Sequence, residues 1–115
     1  MANTFKVITK AGVTSADVIY TVAGSTTTVI VGLMLGNTTS GSANATVTLG
    51  TDTANRAGAN NEANQDVELL TTTAIPANTP LELLGGNKVV METTDTLSVT
   101  GSAALDVALS VMEIT

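Results

Sequence analysis

The sequence predicts an all-β protein: an antiparallel β-sandwich of about eight strands, with either a jelly-roll-like or an immunoglobulin-like topology. The strongest observation is the segment from residue 75 to residue 100, where short alternating stretches are separated by turn residues. A second is the placement of threonines beside apolar residues, as in Thr46-Val47-Thr48-Leu49, which is typical of a strand with one dry and one solvated face. Both topologies share these patterns, so both remain open.

Strands are expected wherever apolar residues alternate with polar ones between turn signals. The resulting segments are 4–9, 18–22, 26–35, 45–50, 66–73, 81–84, 88–92, 96–100 and 104–114. Pro76, Asn78 and Pro80 mark the turn before segment 81–84, and Gly85-Gly86 marks a hairpin turn after it. This meander therefore indicates a scaffold and not a reaction site.

Segment 26–35 departs from the alternating pattern, because both of its faces are apolar from Val29 onward. An outer sheet face is normally solvated, so a second apolar face indicates either a central strand under a loop or contact with another subunit. The strict alternation predicts Val29, Val31, Leu33 and Leu35 on one face, and Ile30 and Met34 on the other.

The last segment has the clearest single apolar face. Leu105, Val107, Leu109 and Val111 all fall on one side of a strand over residues 104–114. The following Met112-Glu113-Ile114 inverts the order of apolar and polar residues. We therefore expect a β-bulge or a change of partner sheet near Met112.

Length and composition predict one domain, residues 1–115, with a thin core. Phe5 and Tyr20 are the only aromatic residues among 115. Ordering a residue costs about 1–2 kcal/mol of conformational entropy, so a small core without bulky side chains favours burial against another chain. The sequence therefore predicts a homo-oligomer, with a trimer favoured, or an assembly subunit.

The charge distribution disfavours nucleic acid as a partner. The net charge is −6, and the four basic residues, Lys6, Lys10, Arg56 and Lys88, are scattered along the chain. Without a positive patch or an aromatic platform, neither phosphates nor bases have a binding surface. The longest apolar run is too short for a membrane span, and the first residues lack an apolar signal core, so we expect neither a membrane partner nor classical secretion.

Residues 51–65 form the one long polar segment, rich in Asn, Ala and Gly. Connections of this length are usually functional or flexible, and an assembly protein could use one as an arm that reaches a neighbour. Its carboxylates, Asp52, Glu62 and Asp66, match no calcium-loop spacing, so we expect a solvated loop and no metal site.

Candidate catalytic groups are sparse. Histidine and cysteine are absent from the sequence. The protein therefore lacks the commonest general base and the thiolate nucleophile, and it contains no disulfide bond. Asp95 and Asp106 are the carboxylates nearest to a pair, but their spacing does not place them on one cleft. Gly85-Gly86 lacks the following helix of a phosphate loop. We expect no enzyme activity and no cofactor.

Two segments resemble small virion structural proteins of tailed bacteriophages, particularly those of marine cyanobacteria. The first is IYTVAGSTTTV, residues 19–29, similar to a family pattern in which a Y-T-V-P-A-G turn precedes a Thr-rich strand. The second is IPANTPLELLGGNKVVME, residues 75–92, similar to a P-A-G turn followed by an L-L-G-G meander. The chain departs from the pattern at Ala23, where the proline would stand, and at Asn78, where the glycine would stand. Asn tolerates positive φ, so the second turn is expected to survive.

The resemblance implies a particle component without catalytic activity, located in the virion and assembled in the host cytoplasm. Its most direct form is a capsid decoration (cement) protein whose partners are other virion proteins, with the major capsid protein first among them. A tail, neck or baseplate accessory subunit is the first alternative, and a carbohydrate-binding module for host adhesion is the second. The residues predicted to contact partners are Ile30, Met34, Leu35, Arg56, Asn60, Asn61 and Asn64.

Overall fold

The computed structural model describes residues 2–52, 64–84 and 87–115, and the strands found there agree with the predicted segments in number and order. They are β1 (Asn3–Val13), β2 (Asp17–Thr21), β3 (Thr27–Asn37), β4 (Ala43–Gly50), β5 (Asp66–Ile75), β6 (Thr79–Leu83), β7 (Val89–Met91), β8 (Thr96–Gly101) and β9 (Leu105–Ile114). No helix long and apolar enough to cross a membrane occurs in these residues. The predicted all-β class is confirmed.

The strands form two antiparallel sheets. The first, which we call the β1 sheet, has the order β1-β9-β3-β6, and β7 also pairs with β3. The second, the β2 sheet, has the order β2-β8-β4-β5. Because β6 pairs with residues 33–37 of β3 and β7 pairs with residues 28–30, the two lie end to end along β3 as one interrupted strand.

This strand order decides between the two predicted topologies. An immunoglobulin-like sandwich joins early neighbours within one sheet, whereas here β1, β2, β3 and β4 alternate between the sheets. With β6 and β7 counted as one interrupted strand, eight strand positions remain in two sheets of four, as in a jelly roll. The protein is therefore a jelly-roll β-sandwich.

The core lies between the two sheets and contains aliphatic side chains almost exclusively. From β9 the inward row is Leu105, Val107, Leu109 and Val111, as predicted, and each is at most 3% exposed. The β2 sheet faces them with small and medium side chains: Ala43, Ala45, Val47, Leu97 and Val99. Such a core is built from many modest contributions, since burying one Val or Leu side chain stabilises by about 1.5–3 kcal/mol.

Two predictions about strand faces need correction. The pairing of β3 with β9 skips Val31, so this residue forms a bulge and the alternation of β3 changes phase there. As a result Ile30 points into the core together with Leu33 and Leu35, and Met34 stays outside. β9 itself has no bulge near Met112, because Phe5 pairs with Met112 in regular register. The bulge in this part of the sheet lies on β3, at Val31 opposite Val111 and Ser110, and Glu113 occupies an inward position.

Polar side chains hold the turns at one end of the sandwich. Asn37 is buried at the end of β3, and its amide nitrogen donates hydrogen bonds to the carbonyl oxygens of Gly41 at 2.8 Å and Ile75 at 2.9 Å. Its side-chain oxygen accepts from the amide of Thr39 at 3.0 Å. Asn78 adopts a φ of 56°, which confirms that asparagine supplies the left-handed position of the turn before β6.

Candidate interaction surface

The outer face of the β1 sheet is assembled from alternate residues of four neighbouring strand positions. The pairing register places its side chains in rows across the sheet. Asn3, Ile114 and Thr27 form a rim row at the start of β1, and we number the four rows that follow it from that end. Row 1 is Phe5, Met112, Val29 and Val90; row 2 is Val7, Ser110 and Gly32; row 3 is Thr9, Ala108, Met34 and Glu82; row 4 is Asp106, Gly36 and Pro80.

This outer face is apolar and open to solvent. Phe5 is 74% exposed, Val7 63%, Val90 59% and Met34 46%. Row 1 contains no polar side chain, and the charged residues of the four rows are Glu82 and Asp106 alone. A monomeric protein seldom exposes a contiguous apolar patch of this extent unless the patch is an interaction site.

The outer face of the β2 sheet has the opposite character. Its alternate positions are occupied mainly by hydroxyl side chains, which contact water without cost: Thr46, Thr48, Thr96, Ser98 and Thr100. Val18, paired with Ser98, is an isolated exposed valine on that side. The two outer faces therefore differ in chemistry, and of the two it is the outer face of the β1 sheet that suits contact with another protein.

The apolar face is uneven, with a ridge between two hollows. Met34 lines both hollows. The larger, about 380 Å³, lies over Gly36 and Ala108, and the smaller, about 220 Å³, lies over Gly32 and Ser110. Because these positions carry little or no side chain, the centre and row 4 of the face are low, whereas row 1 is bulky.

Charged side chains lie along β1 on its inward side and at the end of the apolar face. Lys6 and Lys10 belong to the inward row of β1, paired with Val111 and Val107. Lys10 forms an ion pair at 3.5 Å with Asp17 of the other sheet. On the outer side, Asp106 accepts a hydrogen bond from the amide of Gly12 at 3.0 Å.

The predicted contact residues separate into three groups. Met34 lies in the middle of the apolar face. Ile30 and Leu35 are each 0% exposed, so their prediction as contact residues is corrected: the bulge at Val31 turns them into the core.

The remaining predicted contact residues belong to the arm. Asn64 is exposed next to the base of the 51–65 segment, and the amide of Thr51 donates to the carbonyl of Gln65 at 2.8 Å across that base. Arg56, Asn60 and Asn61 lie outside the described residues.

Sequence reasoning missed Phe5, Val7 and Val90 as surface residues. The segment Phe5-Lys6-Val7-Ile8 alternates in a way that allows either side to be the buried one. A large aromatic residue normally marks the inner face, but here Ile8 pairs with buried Leu109 and Phe5 pairs with Met112 on the outside. The lysines at positions 6 and 10 strengthen the wrong assignment, because lysine normally marks the solvated face, whereas here both belong to the inward row and ion pairs hold them at the sandwich edge.

A polar cluster closes the sandwich beneath row 1. The hydroxyl of Tyr20 donates a hydrogen bond to Oε2 of Glu113 at 2.5 Å and lies 2.8 Å from Oγ1 of Thr28. Lys6 forms an ion pair with the other carboxylate oxygen of Glu113 at 2.8 Å. The Lys6 and Tyr20 hydrogen bonds lower the pKa of Glu113, while burial and the Glu113 hydrogen bond raise the pKa of Tyr20 to about 12.

Titration of the only tyrosine tests this cluster. In the folded protein, the near-ultraviolet absorbance of tyrosinate should appear with a midpoint near pH 12, compared with about 10 for the chain in denaturant. Because the folded pKa is raised, the contribution to stability is complete below pH 10 and is lost as the pH rises towards 12. Circular dichroism at each pH shows whether the sandwich is still folded.

The matched variant for this titration is Glu113→Gln, which keeps the size of the side chain and removes its charge. The tyrosine midpoint should move towards 10 but not reach it, because burial is the largest cause of the shift. A midpoint near 10 in the folded wild-type protein would contradict the described geometry.

The candidate catalytic carboxylates are far apart in the fold. Asp95 is buried immediately before β8, whereas Asp106 follows the opposite end of β8 and lies at the start of β9. Among the residues that the structure describes, no group of three potential metal-binding side chains occurs. The geometry therefore supports a surface that binds protein better than it supports a reaction site.

No protein-family model and no curated protein matches the chain. Among solved structures, a protein of Bacillus endospore appendages, described as disulfide-linked pili, shares 15% identity at a TM-score of 0.48, covering 99% of this chain and 87% of that one. A protein of the T13 IBDV particle shares 8% identity at a TM-score of 0.41, covering 96% of this chain and 35% of that one. A third, from infectious bursal virus T=1 particles, shares 11% identity at a TM-score of 0.26, and this chain spans 38% of it. These likenesses are too weak to indicate function.

Proposed function

We propose that the protein is a non-enzymatic structural component of a virus particle, most specifically a capsid decoration (cement) protein that binds the shell and stabilises it. Its partners are other virion proteins, with the major capsid protein first, and further copies of itself. Its location is the virion, with assembly in the host cytoplasm. The observation that supports this best is the apolar outer face of the β1 sheet, where Phe5 is 74% exposed.

The two proposed contacts use different parts of the chain. Removing the apolar face from water stabilises a complex by roughly 25 cal/mol per Å² of apolar surface, so this face suits contact with another subunit. The arm of residues 51–65 suits the shell contact, with Arg56, Asn60, Asn61 and Asn64 as its proposed contact residues. The hydrogen bonds between Thr51 and Gln65 hold the base of that arm to the end of the β2 sheet.

Binding to shells tests the proposal. Particles that lack this protein should lose infectivity faster on heating and on osmotic shock, and adding the recombinant chain should restore their resistance. A variant with Asn60→Asp, Asn61→Asp and Asn64→Asp should bind shells at least about tenfold more weakly, because three added charges must be desolvated at the contact. Co-sedimentation of the purified chain with shells measures the affinity.

A control variant adds the same charge elsewhere. Asn3→Asp, Asn44→Asp and Asn87→Asp alter three exposed asparagines outside the arm and should leave shell binding unchanged. If particles without the protein keep normal resistance to heat and osmotic shock, and the recombinant chain does not bind shells, the cement function is wrong. Electron microscopy of labelled particles would then show whether the protein belongs to the tail, neck or baseplate.

The carbohydrate-binding alternative is weakened by the position of Tyr20. Sugar sites usually stack their ligands on exposed Trp or Tyr rings, and this sequence has one Tyr and no Trp. Tyr20 is only 9% exposed, and its hydroxyl is bonded inside the sandwich. The ring is therefore not accessible to a glycan.

A further inference from the structure

We propose that the apolar outer face of the β1 sheet binds the same face of a second copy of this chain, around a two-fold axis that lies between the sheets and runs perpendicular to the strands. This inference rests on the proposed function in one respect: that proposal includes further copies of the chain among the partners, and here such a copy covers the face. It replaces the trimer favoured from the sequence with a symmetric pair.

The row pattern of the face determines how two copies fit. A two-fold axis perpendicular to the strands reverses the strand direction. When it passes between rows 2 and 3, row 1 of one copy lies over row 4 of the other, row 2 lies over row 3, and the rim row of Asn3, Ile114 and Thr27 extends beyond row 4 of the partner. Each strand of one copy lies over the same strand of the other copy. Two sheets packed in this way stand about 10 Å apart, with side chains from both faces filling the space between them.

This arrangement places bulk over hollow at two contacts between the β3 strands of the two copies. Met34 in row 3 of one copy lies over Gly32 in row 2 of the other, and the reciprocal contact follows from the symmetry. Val29 in row 1 lies over Gly36 in row 4, above the hollow of about 380 Å³. The face is therefore complementary to itself, as a two-fold contact requires.

Turning the axis parallel to the strands gives a poorer fit. Each row would then lie over the same row of the partner, so bulky row 1 would meet bulky row 1 while the hollows faced each other. The two copies of Asp106 would also lie about one strand spacing apart, roughly 5 Å along the sheet. Acidic side chains that close repel each other, whereas the perpendicular axis separates them by three rows, roughly 20 Å, which exceeds the screening length at physiological salt.

The area of the face is sufficient for a specific pair. Four strand positions spaced about 4.8 Å apart, and four rows spaced about 6.8 Å apart, give roughly 500 Å² for each copy. The pair would bury roughly 1,000 Å² in total, which is the lower limit for a specific interface. The association should therefore be measurable and dependent on concentration, not irreversible.

The first test is the mass of the purified chain by sedimentation over a concentration series. The expected result is a transition from 11.5 kDa to twice that mass as concentration rises. Met34→Lys should weaken the pair at least about tenfold, because a charge would be buried in the hollow of the partner. Val18→Lys, the matched change at an exposed valine on the β2 sheet, should leave the affinity unchanged.

The second test exchanges ridge and hollow. Gly32→Met alone should weaken the pair, because the new side chain would lie against Met34 of the other copy. The double variant Gly32→Met with Met34→Gly should restore the affinity to within about threefold of wild type. Folding should survive, since a Cβ at position 32 meets no atom within 4 Å. Circular dichroism verifies this for each variant.

The outcomes separate this proposal from the cement function. A monomer at all concentrations, a trimer, equal weakening by Val18→Lys and Met34→Lys, or failure of the double variant to recover would each overturn the symmetric pair. Shell binding by the arm is measured separately, with the wild-type chain and intact shells. Shells that bind a monomeric chain would leave the cement function standing without this interface.

Discussion

Gly101→Ala is expected to destabilise the sandwich by about 2–3 kcal/mol, although it adds only one methyl group. A Cβ at this position would lie 2.5 Å from the carbonyl oxygen of Val13 and 2.8 Å from that of Ala103. Both obstacles are backbone atoms, so the end of β8 has to shift away from the end of β1. Forcing extra volume into a packed site typically costs about 1–3 kcal/mol. Urea denaturation at fixed protein concentration measures the change.

The control for this prediction is Gly41→Ala, which makes the same chemical change in open space. A Cβ at position 41 meets no atom within 4 Å. Its effect should lie within about 0.5 kcal/mol of zero, as for most surface substitutions. Equal stability of the two variants would show that β1 and β8 do not approach each other as closely as the structure describes.

Asp95→Ala should have a comparable effect, about 3 kcal/mol, through lost hydrogen bonds and not through sterics. Asp95 is 2% exposed, and its carboxylate accepts hydrogen bonds from the amides of Glu92 at 3.0 Å and Asp52 at 3.2 Å. These bonds join the β7–β8 turn to the end of β4. Hydrogen bonds to a charged group contribute about 1.5–3 kcal/mol, and the alanine variant loses both of these bonds.

The matched control is Asp106→Ala, at an exposed carboxylate that accepts one hydrogen bond, from Gly12. Its loss should cost less than about 1 kcal/mol, since water can replace the carboxylate. Asp95→Asn, which keeps one carbonyl acceptor, should fall between the two alanine variants. If Asp95→Ala and Asp106→Ala unfold at the same urea concentration, the turn does not depend on the Asp95 side chain.

The strands were predictable because their alternation is a local property. Apolar residues at every second position identified β9 and its buried row from Leu105 to Val111, and the turn chemistry of Asn78 placed the start of β6. The strand order was not predictable, because jelly-roll and immunoglobulin-like sandwiches share the same local pattern. Their difference lies in which sheet receives each successive strand.

The candidate surface was predictable in part. Two apolar faces on β3 indicated a contact, and Met34 does lie on an exposed apolar face. The assignment of Ile30 and Leu35 was wrong because a single bulged residue, Val31, shifts the phase. The available sign was the adjacent Gly32, since an isolated glycine within a strand often marks a bulge. Glu113 was mistaken for a sign of a bulge, because its place among buried residues depends on Lys6 and Tyr20, which are distant in sequence.

The lysines on the inner side of β1 also limit how this protein can polymerise. β1 is an eleven-residue strand whose outer edge is unpaired within the described sheets, and such an edge can recruit strands from other molecules. An incoming strand would have to pack its own inner side chains against Lys6 and Lys10, whose ammonium groups already hold Glu113 and Asp17. Growth of a continuous ribbon through this edge is therefore disfavoured, which protects the protein against amyloid-like fibre formation at β1.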